Sequence, residues 1–250
     1  MADPERDTLS PADRRWLDRI STNWLVVQDA EQFVLRYGPA VRAYCRALLP
    51  NPDDADDVLQ ELLVRVVEKG FPHADAKKGR FRDYLKATVR NAAITKLRRQ
   101  AKAPRPLAEV DTAEIPKDSE ADVVWHGRWR QCILDRAWQL LDAHEREHPD
   151  GWACTVLRAA ADAPDATSEH LAERLRHDRG YTLNAASFRK QLSRARRLFA
   201  RLVVQEVAGT LQAPDPDTVQ QELIDCGVWT SLRELLPDDW QTTLLDSGPA

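Results

Sequence analysis

The spacing of apolar residues is the feature that most restricts what this chain can fold into. Apolar side chains recur every three or four residues in one segment after another, and no segment alternates apolar with polar residues over the length of a strand. Glycine, which often marks the turns between strands, is scarce at 9 of 250 residues. The pattern therefore predicts an all-α protein.

Three helices are predicted in the first part of the chain. The first covers residues 29–49, and the third covers 81–99. The second begins at Asn51-Pro52, because Asn can cap free backbone amides and Pro tolerates the first helical position, and it ends at Gly70. The side chains predicted to face the core are Phe33, Val34, Tyr37, Val41, Tyr44, Leu48, Val58, Leu59, Leu62, Leu63, Val66, Phe81, Leu85, Val89 and Ala92.

A second helical set follows a stretch of weak periodicity. Residues 101–124 contain three prolines and six acids, which predicts a linker. Beyond it, helices are predicted from about Trp129, from Trp152, after a cap at Thr167 or Ser168, after a cap at Asn184, and over 218–236. The predicted organisation is an N-terminal extension at 1–28, a helical domain at 29–100, an acidic proline-containing flexible linker at 101–125, a second small helical domain at 126–205 and an acidic C-terminal extension at 206–250.

The distribution of charge is more informative than the net charge of −4. Residues 77–105 hold eleven Lys or Arg and one acid, and residues 184–201 hold six basic residues and no acid. Residues 206–250 hold nine acids and one Arg. One basic run alone is more often a solvated helix face, but two runs on separate helices favour nucleic-acid binding.

Other features bear on the cellular compartment. No apolar run approaches the roughly 20 residues that a membrane span needs, and the polar, acidic start at residues 1–10 does not resemble a secretory signal. The four cysteines are far apart and form no CxxC pair, which favours reduced thiols. We therefore expect a cytoplasmic protein without membrane insertion.

Each basic run falls on a predicted helix. On the helix capped by Asn184, a core face leaves polar and basic side chains outside, where they could enter a major groove, although the connection at 177–183 is longer than a tight helix-turn-helix turn. On the helix 81–99, Arg82, Lys86 and Arg90 form a stripe near two aromatic residues, a combination suited to single-stranded DNA. The alternative for the helix capped by Asn184 is an ordinary basic amphipathic helix without a DNA-binding role. The alternative for the helix 81–99 is that its two aromatic residues are simply part of the core.

Three segments carry a resemblance to a known family. The run DADDVLQE at 54–61 resembles the DAEDLVQE signature of sigma factor region 2, and FRDYLKATVRNAAITKLRR at 81–99 resembles that family's FRAWLYRIARNLAIDYLRR. Residues 167–199, which include LSRARR at 192–197, resemble the region 4 helix-turn-helix, which commonly ends in LHRAR. Together the resemblance covers 30–100 and 126–205. Because the resemblance includes regions 2 and 4 but not regions 1 and 3, it points to the extracytoplasmic-function (ECF) subfamily of RNA polymerase sigma factors.

The resemblance implies roles for particular residues. The acidic helix would bind the clamp helices of the largest subunit of core RNA polymerase through Asp54, Asp57, Gln60 and Glu61. The basic loop and third helix would open the −10 element through Lys78, Arg80, Phe81, Arg82, Tyr84, Lys86, Arg90 and Asn91, with Tyr84 where the family usually has Trp and Asp83 where it has a small residue. The later basic helix would read the −35 element through Ser187, Arg189, Lys190, Arg194 and Arg197. An anti-sigma factor is a further candidate partner, nucleoid association is expected only when the protein is bound to polymerase, and no cofactor, metal or catalytic activity is implied.

Two other functions remain as alternatives. A stand-alone helix-turn-helix regulator would use only residues 126–205 on DNA. A zinc metalloprotease would use His144, Glu145 and His148, which satisfy HExxH. Charged residues within that motif, the immediate Pro149 and the lack of a spaced third ligand favour a polar, exposed helix end instead.

Overall fold

A computed structural model describes residues 30–71, 80–102, 120–148, 151–179, 183–211 and 214–241. Within these ranges the chain is helical and contains no strand, which confirms the predicted all-α class. No helix among the described residues has the length and apolarity needed to cross a membrane. The helices are α1 (Ala30–Leu48), α2 (Pro52–Lys69), α3 (Phe81–Lys102), α4 (Glu120–Glu147), α5 (Ala153–Asp162), α6 (Ser168–Arg179), α7 (Ala185–Gly209), α8 (Pro216–Asp225) and α9 (Trp229–Leu232).

Three of the predicted helix starts are confirmed by their caps. The Asn51 side chain accepts a hydrogen bond from the Asp53 amide at 3.0 Å, and Asn184 Oδ1 accepts one from the Ser187 amide at 2.8 Å. Thr167 Oγ1 accepts a longer hydrogen bond from His170 N at 3.3 Å. Each bond satisfies an amide that has no partner within its helix, so local sequence determines where α2, α6 and α7 begin.

The described residues divide into two compact units, and the first contains α1, α2 and α3. The three helices pack on one another. The Phe33 ring lies 4.8 Å from that of Phe71 and 6.3 Å from that of Phe81, both edge-on, which is a favourable arrangement of aromatic quadrupoles. The buried side chains of this unit include the predicted Phe33, Tyr37, Val41, Tyr44, Val58, Leu59, Leu62, Val66, Phe81, Leu85 and Val89.

The first unit also includes the N-terminal half of α4, up to Ile133. Trp125 and Trp129 are fully buried, and Trp129 stacks on Tyr37 with ring centroids 4.7 Å apart and ring planes 9° apart. The helix therefore begins at Glu120, upstream of the predicted start near Trp129 and inside the segment expected to be linker. Two of the six acids that suggested a linker, Glu120 and Asp122, lie in the first turn of this helix, where they suit the positive end of the helix dipole.

The second unit contains the rest of α4 and the following helices. Here α5, α6 and the start of α7 surround one apolar cluster, whose buried members are Val156, Ala159, Leu171, Ala172, Leu175, Leu183 and Phe188. Arg176 donates a hydrogen bond to the Leu183 carbonyl at 2.9 Å. This bond joins α6 to the residue just before the Asn184 cap and so positions the start of α7.

The predicted last helix, over 218–236, is two helices rather than one. Gly227 has φ of 69°, a conformation that glycine adopts without the steric cost of a β-carbon. The chain turns there between α8 and α9. Beyond the turn, the ring centroids of Trp229 and Trp240 are 5.8 Å apart. Apolar spacing was a sound indicator of burial, since Val219, Leu223 and Leu232 are buried, but it did not reveal the break.

Candidate nucleic-acid interface

The acidic side of α2 presents carboxylates together with apolar side chains. We call Asp54, Asp57, Gln60 and Glu61 the acidic face. Asp57, Gln60 and Glu61 are exposed. Val64 and Val67 follow on α2 with 55% and 65% of their surface exposed, and Val64 lines a shallow depression together with Asp57, Gln60 and Glu61. The sequence analysis did not assign these two valines to a binding surface, although their absence from the predicted core positions could have indicated that they are exposed.

Two carboxylates of the acidic face are bound by α3. Lys96 Nζ lies 2.8 Å from Asp57 Oδ2 and 3.3 Å from Asp54 Oδ1, and Gln100 donates a hydrogen bond to Asp54 at 2.7 Å. The hydrogen bond from Gln100, followed by the bond and charge of Lys96, lowers the pKa of Asp54. These contacts fix α2 against α3. Glu61 remains the exposed carboxylate of the face for which the structure gives no such partner on α3.

The cationic side chains of α3 are less open than the sequence suggested. We call Arg82, Lys86 and Arg90 the cationic stripe. Arg82 is only 3% exposed, and Lys86 and Arg90 are half-buried. Lys86 Nζ lies 2.9 Å from Asp122 Oδ2 on α4. The three residues do share one side of the helix, but part of their charge is already balanced within the first unit.

The aromatic residues at the start of α3 differ in exposure. Phe81 is buried against Phe33 and Phe71, so its prediction as a DNA-contacting residue conflicts with its position: its ring cannot stack on a base without leaving the core. The reason is its spacing, because Phe81 lies four residues before Leu85 and faces inward with it. Tyr84 is half-buried and lies edge-on to Phe71 at 6.2 Å. Tyr84 is therefore the more accessible aromatic ring of this pair.

The remaining predicted contacts of the first unit vary in setting. Arg80 Nε lies 3.2 Å from Asp83 Oδ2, and Arg82 Nε lies 3.7 Å from Asp83 Oδ1, so Asp83 reduces the positive potential here. Asn91 is exposed on α3. Lys78 lies outside the described residues.

The predicted contacts on α7 are largely at the surface. Ser187, Arg189, Lys190 and Arg194 are exposed. Arg197 is half-buried, and its guanidinium donates to Ser193 Oγ at 3.2 Å. Phe188 and Ala195 anchor the opposite side of the helix in the second unit, while Leu192 and Phe199 are partly buried. Because the exposed group begins three residues after the Asn184 cap, it offers side chains and a helix N-terminus to phosphates.

The HExxH segment has structural contacts rather than the expected exposed setting. His144 is 4% exposed and stacks on His148 with ring centroids 4.4 Å apart, so the prediction of an exposed helix end is wrong for His144. The Glu145 carboxylate accepts hydrogen bonds from the amide and the hydroxyl of Thr155. Among the described residues, no group of three or more His, Cys, Asp or Glu is arranged to hold a metal ion.

The histidine beside the cationic stripe predicts a pH dependence. His126 is exposed as a residue, but partial desolvation of its ring, followed by the charges of Arg82 and Lys86, lowers its pKa. Protonation therefore opposes folding, and the contribution of neutral His126 to stability is present above its unfolded-state pKa of about 6.5 and is lost as pH falls below it. We expect the urea midpoint to fall between about pH 7.5 and about pH 5.5, and to fall less in His126→Gln. His170→Gln, at an exposed position on α6, is the control, and an equal fall in His126→Gln would contradict the assignment.

An acidic helix surface and two basic helices, held by all-α units, define a protein suited to bind a basic protein partner and nucleic acid. Residues 33–103 match the family model of sigma-70 region 2. No curated protein and no solved structure matches the chain. The matched segment covers 71 of the 250 residues and is similar to sigma-70 region 2.

Proposed function

We propose that this chain is a sigma factor of the ECF type, which binds core RNA polymerase in the cytoplasm and directs it to promoters with specific −10 and −35 elements. The match of residues 33–103 to sigma-70 region 2 carries the proposal. The same segment holds the acidic face on α2 and the cationic stripe on α3, and α7 adds a second exposed basic surface. The protein acts by binding and catalyses no reaction of its own.

The acidic face is proposed to bind the clamp helices of the polymerase largest subunit. Glu61, Asp57 and Gln60 are exposed in a row along α2, where they can pair with basic side chains. Charge complementarity of this kind sets the orientation and rate of association. Val64 and Val67 add apolar area whose burial contributes to affinity, about 25 cal/mol per Å² removed from water. An anti-sigma factor would inhibit most directly by covering this face.

The surface around α3 is proposed to bind the −10 element and assist strand opening. Arg80, Lys86 and Arg90, with Lys78, would track the phosphates of the non-template strand, whereas Arg82 is only 3% exposed and would add its charge from beneath the surface. Tyr84 is half-buried and would offer one ring edge or face to a base taken from the stack, and Asn91 could hydrogen-bond a base edge. Capture of unpaired bases shifts the equilibrium toward the open strand, because it stabilises only that state.

The start of α7 is proposed to read the −35 element. Ser187, Arg189 and Lys190 lie in the first turns after Asn184 and would reach base edges or nearby phosphates in a major groove. Arg194 and Arg197 lie further along and would hold the backbone. This supports a region 4-like role for the second unit, with α6 as the supporting helix. A stand-alone regulator needs only this second surface and leaves the region 2 domain without a role.

Transcription from a defined promoter tests the proposal. Purified protein added to core polymerase should give a transcript with a fixed start site, and Arg194→Gln should lower its yield about tenfold, which corresponds to about 1.4 kcal/mol, by weakening a phosphate contact. Association with core polymerase, measured separately, should not change. Arg233→Gln, an exposed arginine beyond α9, is the matched control. No defined start site with wild-type protein would refute sigma activity, and equal losses in both variants would refute the −35 assignment.

A further inference from the structure

The N-terminal half of α4 brings a carboxylate onto the cationic stripe. Asp122 Oδ2 lies 2.9 Å from Lys86 Nζ, a charge-assisted contact between residues from different helices of the first unit. Its other oxygen, Asp122 Oδ1, accepts a hydrogen bond from the Tyr44 hydroxyl at 3.3 Å. Both carboxylate oxygens are thus engaged, one by a proposed strand-binding cation and one by a core tyrosine.

Arg90 belongs to the same group of side chains. Burial, followed by the charge of Asp122, raises the pKa of the Tyr44 hydroxyl to about 12, while the nearby guanidinium of Arg90 acts in the opposite direction. The Tyr44 hydroxyl therefore lies close to both Asp122 and Arg90. Asp122 is placed among groups that carry positive charge or donate hydrogen bonds, which is the environment that a phosphate oxygen would also favour.

Asp122 is held in this position by the core beneath it. Trp125 lies one helical turn further along α4, is fully buried and contacts Tyr44, with ring centroids 5.1 Å apart. Trp129 follows after another turn and stacks on Tyr37. Two buried indoles anchor the helix, so the carboxylate is presented to Lys86 by packing and does not depend on the ion pair alone.

We propose that Asp122 acts as an intramolecular phosphate mimic that occupies the cationic stripe and lowers the affinity of the free protein for single-stranded DNA. This rests on the proposed function, since it assigns regulation to the same strand-binding surface. A strand phosphate must replace the Asp122 carboxylate at Lys86, and that exchange gains less free energy than binding to an unoccupied cation. The protein thus discriminates against stray single strands, and strand capture becomes favourable when further promoter and polymerase contacts contribute.

Replacement of the carboxylate tests the inference. The full chain is titrated into a fluorescein-labelled single-stranded oligonucleotide, and fluorescence anisotropy gives the affinity. Asp122→Asn, which keeps the shape but removes the charge, should bind about three- to tenfold more tightly at low salt, with a salt slope steeper by about 0.7 for one added phosphate contact. The matched control is Glu120→Gln, which removes the same charge at an exposed position two residues away on α4. Equal gains in both variants would overturn the proposal, because net charge alone would then explain them.

Two further variants keep the test decisive if Asp122→Asn affects folding. Tyr44→Phe removes the hydroxyl that orients Asp122 and should raise the affinity about twofold, while no gain in a folded Tyr44→Phe protein would count against the mimic. Lys86→Gln combined with Asp122→Asn should abolish the gain of Asp122→Asn, whereas a gain that persists would show that Lys86 is not the occupied cation. A protein that starts transcription but shows no effect at Asp122 refutes the mimic alone. One that shows the effect but no promoter-directed transcription refutes the proposed function alone.

Discussion

Glu61→Arg is expected to lower the affinity for core RNA polymerase more than 100-fold, and Asp57→Arg with Glu61→Arg to abolish association. Glu61 is exposed in the middle of α2, so its replacement leaves the core unchanged. If the acidic face binds basic side chains of the polymerase as proposed, an arginine at position 61 would repel them, and like charges at an interface cost several kcal/mol. A loss of 100-fold corresponds to about 2.7 kcal/mol, within that range. Biolayer interferometry with immobilised core polymerase measures the change directly.

The single variant Glu61→Arg separates docking from folding better than Asp57→Arg does. Asp57 pairs with Lys96 at 2.8 Å, and an arginine at position 57 would also repel that lysine within the protein. Glu173→Arg on α6 makes the same charge change at an exposed position outside the acidic face. The melting temperatures of Glu61→Arg and Glu173→Arg should agree with that of the wild-type protein to within a few degrees, because exposed substitutions usually change stability by under about 0.5 kcal/mol. Unchanged polymerase affinity in Glu61→Arg would remove the acidic face from the interface.

The features predicted from sequence are those that neighbouring residues determine. The Asn51 and Asn184 caps depend on a side chain and amides two or three residues away. The buried faces of α1, α2 and α3 follow from the 3.6-residue repeat, which is a property of each helix alone. The similarity to sigma-70 region 2 was also accessible from the sequence, because two short motifs lie on consecutive helices and the match to residues 33–103 spans both.

The features missed from sequence depend on contacts between distant residues. Lys96 and Asp57 are 39 positions apart, and Tyr44 and Asp122 are 78 apart, so no local pattern could pair them. The cationic stripe was therefore expected to be open, whereas Asp122 covers part of it. Phe81 satisfied a core pattern and a DNA-binding motif at once, and its burial favours the core. The start of α4 was also missed, because the acids and prolines upstream indicated a linker. Its packing against α1 and α3 depends on residues that are distant in the sequence.

Trp129→Ala is expected to destabilise the first unit by about 3–5 kcal/mol, the usual cost of removing a large buried aromatic side chain. Trp129 is fully buried, and its ring stacks on Tyr37 and lies 6.4 Å from Phe81. Its loss leaves a cavity beside helices α1 and α3, although the residue itself lies 26 positions beyond the matched region 2 segment. Urea denaturation followed by far-ultraviolet circular dichroism should show an earlier transition for part of the helical signal, because the second unit has its own apolar cluster.

Two further variants test whether the N-terminal half of α4 is packed into the core of the first unit or is only a connecting segment. Trp129→Phe keeps an aromatic ring against Tyr37 and should restore much of the loss, with a net cost nearer 1–2 kcal/mol, roughly that of an imperfect hydrophobic replacement. Val123→Ala, on the same helix but 75% exposed, should change stability by under about 0.5 kcal/mol. If Trp129→Ala cost no more than Val123→Ala, the indole would not be packed in the folded protein. Asp122 would then have no fixed position beside Lys86, because the packing of Trp125 and Trp129 is what holds this part of α4, and with it the Asp122 carboxylate, against the first unit.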